Sequence, residues 1–235
     1  MIPQSKAKIF LSSNRELTQL DDANIYECLK QNKFSTISSG LFGELKALNE
    51  IILKGGGNFN FTTDEELLII LLPIVGAIVY NATNSNSIIE AGQAQYFAVG
   101  KNAMIDIHNP YENNEVGFLM LYLKNNFFNT IKQTDLFSFD LNKDKNKLIS
   151  LFHANKTEEA IFRERVFIGM FDGRHEAIHK TENGNGVFAF VIQGAFEVQY
   201  RLIEMGDGLA LPDEKEIELE ALSNDAIILL VDMML

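Results

Sequence analysis

Apolar residues along this chain fall in short blocks separated by clusters of turn formers. Leu45–Leu53, Leu67–Leu72, Ala77–Tyr80, Ala94–Val99, Ala103–Ile107 and Val116–Leu123 make a first series. GGGN (55–58), NATNSNS (81–87) and HNPYENNE (108–115) lie between them. Arg165–Phe171, Val187–Ile192, Ala195–Tyr200, Gly208–Leu211, Ile217–Ala221 and Ala226–Met233 make a second. Blocks this short, punctuated this often, predict an all-β sandwich or barrel. Phe188, Phe190 and Ile192 alternate with Ala189, Val191 and Gln193, which predicts burial on both faces of a strand. Phe196, Val198 and Tyr200 alternate with Glu197, Gln199 and Arg201, the half-buried pattern. DEKEIELE (213–220) reads as a turn followed by a strand with a solvated, charged face. DDANIYECLKQ (21–31) reads instead as a short helix, with Asp21 or Asp22 as N-cap and Ile25, Tyr26 and Leu29 on one face.

The two series share an order of features. LLPIVGAIVYNA (71–82) and FVIQGAFEVQYRL (190–202) each run strand, Gly, Ala, strand. Each is followed by a turn and a further Gly step, IIEAGQAQYF (88–97) and LIEMGDGLAL (202–211). This is a weak internal duplication. The polar, Lys/Asn-rich stretch between the series carries the domain connection. The expected division is 1–124, a connecting segment 125–160, and 161–235.

Composition narrows the partners. The 235 residues carry a formal charge of −12, from 20 Lys and Arg against 32 Asp and Glu. That balance argues against binding nucleic acid, which needs a cationic face, and against docking on an anionic membrane. Eighteen Phe and no Trp supply bulky core side chains. The apolar stretch Leu67–Val79 contains Pro73 and Gly76 and falls short of the about 20 residues of a membrane span, so it reads as buried strand. Cys28 is the only cysteine, so no intrachain disulfide forms. With no apolar signal core near the start, the chain is expected to be cytoplasmic, and the glycosylation triplets at Asn60, Asn81 and Asn155 carry no weight.

Local motifs for chemistry are few. DLNKDKNKL (140–148) opens like a calcium loop but has Lys145 at the glycine position and Leu151 at the closing carboxylate. Gly55–Gly57 leads toward a strand rather than a helix, so it is a tight bend, not a phosphate cradle. Ser38 and Ser39 have no identifiable base, and Cys28 reads as a packed thiol. The histidines are His108, His153, His175 and His179. His108 reads as a turn residue near a pocket mouth. In DGRHEAIH, His175 and His179 on extended backbone share a face but stand about 13 Å apart, too far for one ion.

The stretch from Gly40 to Leu123 resembles the N-terminal cupin of pirins. FIGMFDGRHE and the segment GVFAFVIQGAFEVQYRLIEMGDGLALPDEKEIELEALSNDAIILLVDMM resemble their C-terminal cupin. GDGLAL and SNDAIILLVDM are the most specific pieces. The resemblance implies two stacked cupin barrels of jelly-roll type. It also implies a transition metal in the first barrel, held by His-x-His at the start of one strand and His-x-Glu on a later one. Counting back from Gly76, the first pair falls on Thr62 and Asp64. Counting on from Gly100, with Asn109-Pro110 as a check, the second falls on Ile105 and Ile107. A one-residue slip gives Thr63, Glu65, Met104 and Asp106, with no histidine either. The family's ligand set is therefore degenerate, and no metal or other cofactor is expected.

Two functions follow. The first is a metal-free bicupin with a structural role or one holding a small apolar or aromatic ligand in a barrel lined by Phe59, Phe61, Ile105 and Ile107. The alternative is a metal-dependent oxygenase resembling quercetin 2,3-dioxygenase, which rests on analogy alone. A homodimer is compatible with the acidic surface and not specified by it.

Overall fold

The computed structural model describes residues 6–29, 42–82, 85–124, 136–152 and 165–235. The first half contains β1 (Lys8–Phe10), β2 (Glu16–Gln19), β3 (Ala23–Leu29), β4 (Leu45–Leu53), β5 (Asn58–Thr62), β6 (Leu67–Val75), β7 (Ala77–Ala82), β8 (Ser85–Glu90), β9 (Gln93–Val99), β10 (Met104–His108) and β11 (Val116–Lys124). Then come β12 (Phe137–Ser138), β13 (Ile149–Leu151), β14 (Arg165–Phe171), β15 (Glu176–Lys180), β16 (Asn185–Gln193), β17 (Ala195–Val198), β18 (Arg201–Glu204), β19 (Gly208–Leu211), β20 (Glu216–Ala221) and β21 (Ala226–Met234). The architecture is all-β.

Four sheets stack in layers. A four-stranded sheet, β5-β10-β7-β8, covers a seven-stranded one, β12-β9-β6-β11-β4-β3-β2, and the two form the first barrel. A six-stranded sheet, β1-β19-β16-β21-β14-β13, and a four-stranded one, β15-β20-β17-β18, form the second. One core fills the first barrel, one fills the second, and a third lies between the two large sheets. The third explains the unbroken apolar runs. In β6, Leu67, Ile69 and Leu71 point into the first barrel while Leu68, Ile70 and Leu72 point at the second. In β16, Val187, Ala189 and Val191 point inward while Phe188 and Phe190 face the first barrel. A strand covered on both faces has no polar side to show, so alternation disappears from its sequence.

One strand from within 1–124 joins the second barrel, and the connecting segment 125–160 adds a strand to each barrel. β1 pairs with β19 in the second barrel, β12 with β9 in the first, and β13 with β14 in the second.

Residues 21–31 correct the helix expectation: Ala23–Leu29 is a strand, paired with both β2 and β4. Ala23 and Ile25 enter the first core, then a bulge between Glu27 and Leu29 turns Cys28 and Leu29 toward the core between barrels. An isolated helix of this length is marginal, and pairing with a strand already in place outweighs it. The alternation after Ala195 also ends early. Gln199 (φ 45°) and Tyr200 (φ 61°) form a left-handed two-residue hairpin turn between β17 and β18, which leaves Tyr200 exposed. β8 likewise starts at Ser85, inside the stretch read as a turn.

Candidate functional site

The site that the resemblance singles out lies where β5 and β10 run antiparallel. Ile105 pairs with Phe61 and Ile107 with Phe59. Successive strand residues face opposite sides, and here the odd positions face in. Ile105 and Ile107 are fully buried and Phe59 nearly so. The rings of Phe59 and Phe61 stack with centroids 5.4 Å apart, and Phe61 meets the edge of Tyr122 at 6.0 Å. Tyr80 and Phe97 stack at 4.8 Å in the same core. Burial pushes the Tyr122 phenol up, as does the nearby Glu27 carboxylate, so it is a neutral hydroxyl and donates to the Met120 sulfur at 3.3 Å. The four inward positions are two aromatic rings and two branched aliphatics.

Thr62 and Asp64, which counting back from Gly76 offered as ligand positions, are exposed and lie outside this wall. A shift of one residue along a strand exchanges its faces, and the loop after β5 makes counting from Gly76 unreliable. The slipped set fares no better. Thr63 is buried but committed to the β5–β10 connection: its hydroxyl donates to the Gly100 carbonyl at 2.6 Å and accepts from the Ala103 N–H at 3.0 Å. Glu65 pairs with Lys46, and Met104 is exposed. Asn109, the check residue, braces the barrel end. Its Nδ2 donates to the Lys54 and Asn114 carbonyls at 2.8 and 2.7 Å, and its Oδ1 accepts from the Tyr111 N–H.

The histidines do not converge. His108 is the last residue of β10 rather than a turn residue, and its Nδ1 lies 2.8 Å from the Asn58 Oδ1 on the neighbouring strand. It shares the outward parity of Met104, so it does not reach the pocket mouth. His175 is exposed in the turn before β15, while His179 is buried on that strand. Their surroundings differ: His175 stands in solvent, while His179 is held by Asp232. His153 lies outside the described residues. Among the described residues, no group of three or more His, Cys, Asp and Glu side chains is placed to hold a metal ion. DLNKDKNKL forms a turn in which Asp140 Oδ1 accepts from the Asn142 and Lys143 N–H groups.

Sequence reasoning missed a buried charged network. Asp232 is fully buried and accepts from Asn185 Nδ2 at 2.7 Å, from Arg165, and from His179 Nε2 at 2.7 Å. Burial opposes its ionisation, but the His179 and Asn185 hydrogen bonds and the Arg165 charge outweigh it, and the carboxyl sits below the usual range. Phe167 packs on the His179 ring with centroids 4.6 Å apart. Each side chain of the network has a partner in it, although the buried Nε of Arg165 makes no hydrogen bond, and mutual pairing of this kind is how a structural network looks. The signal available was a lone carboxylate inside the apolar run IILLVDMM.

Two hollows mark the surface. One is a shallow groove of ≈270 Å³ on the outer face of the last sheet. There Glu220 lies directly between Glu176 and Glu197 on neighbouring strands. The other is a cleft of ≈400 Å³ where the two barrels diverge, between Ile74 and Phe139 on one side and Ile192 and Ile227 on the other.

Residues 163–233 match the family profile of the quercetinase C-terminal cupin domain. The fold is similar to that of Escherichia coli pirin YhhW, solved in complex with nickel(II), with TM-score 0.80 and 14% identity over 97% of this chain and 99% of that one. The chain has a pirin-like cupin fold. Escherichia coli YhaK is similar as well, with TM-score 0.72 and 16% identity over 95% of each chain. A quercetin 2,3-dioxygenase from Acinetobacter baumannii gives TM-score 0.69 and 13% identity over 99% of this chain and 88% of that one. No curated protein sequence matches. No helix among the described residues is long and apolar enough to cross a membrane.

The nickel-bound relative raises the question of fit. A divalent transition metal needs several lone-pair donors converging on one point. Phe59, Phe61, Ile105 and Ile107 supply none, and the nearest hydroxyl on β5 or its end, Thr63, is committed to backbone. The inward residues of this pirin-like barrel do not fit a metal.

Proposed function

We propose that this pirin-like cupin is a non-enzymatic binding protein for a small apolar or aromatic molecule, with no metal centre in its first barrel. The metal-free part is supported by the inward-facing quartet Phe59, Phe61, Ile105 and Ile107, buried or half-buried with its two rings stacked, and the binding part by the largely apolar cleft of ≈400 Å³ between the barrels. Burying a metal ion among such groups leaves its charge uncompensated, at a cost far above any single packing contact. Side chains fill the wall where a ligated ion would sit, so the interior serves as core. The alternative reading, an oxygenase resembling quercetin 2,3-dioxygenase, draws support from the family profile over 163–233. That stretch lies in the second barrel, whose histidine His179 is already bound to Asp232.

Elemental analysis of protein purified without chelator or nickel affinity resin tests the reading. Less than about a tenth of a metal equivalent per chain is the expected result, together with no oxygen uptake on adding quercetin. One tightly held transition metal per chain would overturn it.

A further inference from the structure

We infer that the cleft between the barrels is the ligand site, and that it takes a small, flat, uncharged aromatic molecule bearing a hydroxyl or amine donor. The inference rests on the binding-protein reading and gives it a location.

The cleft arises from the duplicated pattern itself. β6 and β16 end in equivalent ways: Ile74 and Ile192 each stand two residues before a left-handed glycine, Gly76 (φ 77°) and Gly194 (φ 78°). The sheets are irregular at the same level, with register shifts at Gly117/Phe118 and at Val191/Gln193. Along the rest of the inter-barrel layer Leu, Ile and Phe side chains interdigitate. Here the two strand ends flare, and the layer opens to solvent.

Its dimensions and chemistry suit a small molecule. The volume, ≈400 Å³, lies within the range of about 300–1,000 Å³ for ligand pockets, which also favour domain interfaces. Ile168 forms a buried floor, and half-buried Ile74, Ile192, Ile227 and Phe139 form the walls. One wall is held open by Gly92 (φ 86°), where a Cβ would stand 3.1 Å from the Phe139 carbonyl oxygen. That carbonyl belongs to a fixed loop, because the Phe139 N–H donates to the Gly92 carbonyl at 2.8 Å.

Two polar side chains stand at the rim, neutral Asn142 and the charged Asp140. Asp140 Oδ1 is held by the Asn142 and Lys143 N–H groups at 3.0 and 3.1 Å. Those bonds fix the carboxylate and leave Oδ2 as an acceptor beside an apolar slot. A fixed acceptor next to aliphatic walls selects a flat apolar body with one donor. An anion is disfavoured by this carboxylate and by the net charge of −12.

The test uses the full chain and the uncharged fluorophore N-phenyl-1-naphthylamine, with 1-naphthol and 1-methoxynaphthalene as competitors. The expected result is saturable one-site binding. It should weaken at least tenfold in Ile192→Trp, which fills the slot. Ala91→Trp, a change at the exposed rim, repeats the block without touching the core. Ile178→Ser, on the outer groove of the last sheet, should leave binding unchanged, and thermal melts confirm folding of each variant. Naphthol should displace the probe better than its methyl ether, and Asp140→Asn should erase that preference while keeping the turn. No saturable binding to the wild type, equal binding in both Trp variants, or loss in Ile178→Ser overturns the assignment. Metal content does not depend on occupancy of the cleft, so failure of this site and failure of the metal-free reading give separate signals.

Discussion

Phe59→Ala separates a solid first barrel from one built around a cavity. Phe59 is 7% exposed, faces Ile107 across the strand pair, and stacks on Phe61 with centroids 5.4 Å apart. Removing the ring loses about 2–3 kcal/mol of transfer free energy. It also loses about 0.5–1.5 kcal/mol of ring pairing, and leaves a hole that β-sheet walls on both sides cannot close. The expected total is about 3–5 kcal/mol. For a chain of this length that lowers the melting temperature by about 6–20 °C. Urea unfolding followed by circular dichroism measures it, with Thr62→Ala as the outward-facing companion, expected within about 0.5 kcal/mol of wild type. If Phe59 lined an empty ligand chamber, its truncation would cost under about 1 kcal/mol, because no packed neighbours would be lost. That outcome would refute the packed barrel, and a larger effect at Thr62 than at Phe59 would refute the parity argument on which the metal-free reading depends.

Other consequences follow from single residues. Asp232→Asn should cost about 3 kcal/mol, because it leaves His179 and a partly exposed Arg165 without their anion. The depressed Asp232 carboxyl gives stability that is full above the unfolded value near 4 and is lost as pH falls through the folded value. Acid unfolding below about pH 4 should therefore be shallower in the variant than in wild type. Cys28 should resist Ellman's reagent at pH 8 until urea unfolds the chain, since burial pushes its thiol up to about 12; prompt labelling of native protein would contradict this. Gly194→Ala should destabilise by more than about 1 kcal/mol. Its φ is 78° and a Cβ would lie 2.3 Å from Ser223 Oγ, whereas Gly56→Ala, with open space around it, should cost less in the same urea assay.

Much of the fold was legible before any coordinates. Short apolar blocks between turn formers define β-strands because the period-two pleat and the turn chemistry are local properties. Leu45–Leu53, Arg165–Phe171 and Gly208–Leu211 keep their sequence-read bounds. The duplication around Gly76 and Gly194 was readable for the same reason, since a left-handed turn admits few residues other than glycine. That no histidine stands at Thr62, Asp64, Ile105 or Ile107 is likewise plain from the sequence. What required tertiary structure was everything set by pairing partners. Ala23–Leu29 becomes a strand only because β2 and β4 flank it, and Thr62 turns outward because β10 pins the register of β5. The Asp232 network joins residues 47 to 67 positions apart, and the inter-barrel cleft exists only where two sheets part. Local pattern encodes the face a residue prefers; only the assembled sheets decide what that face meets.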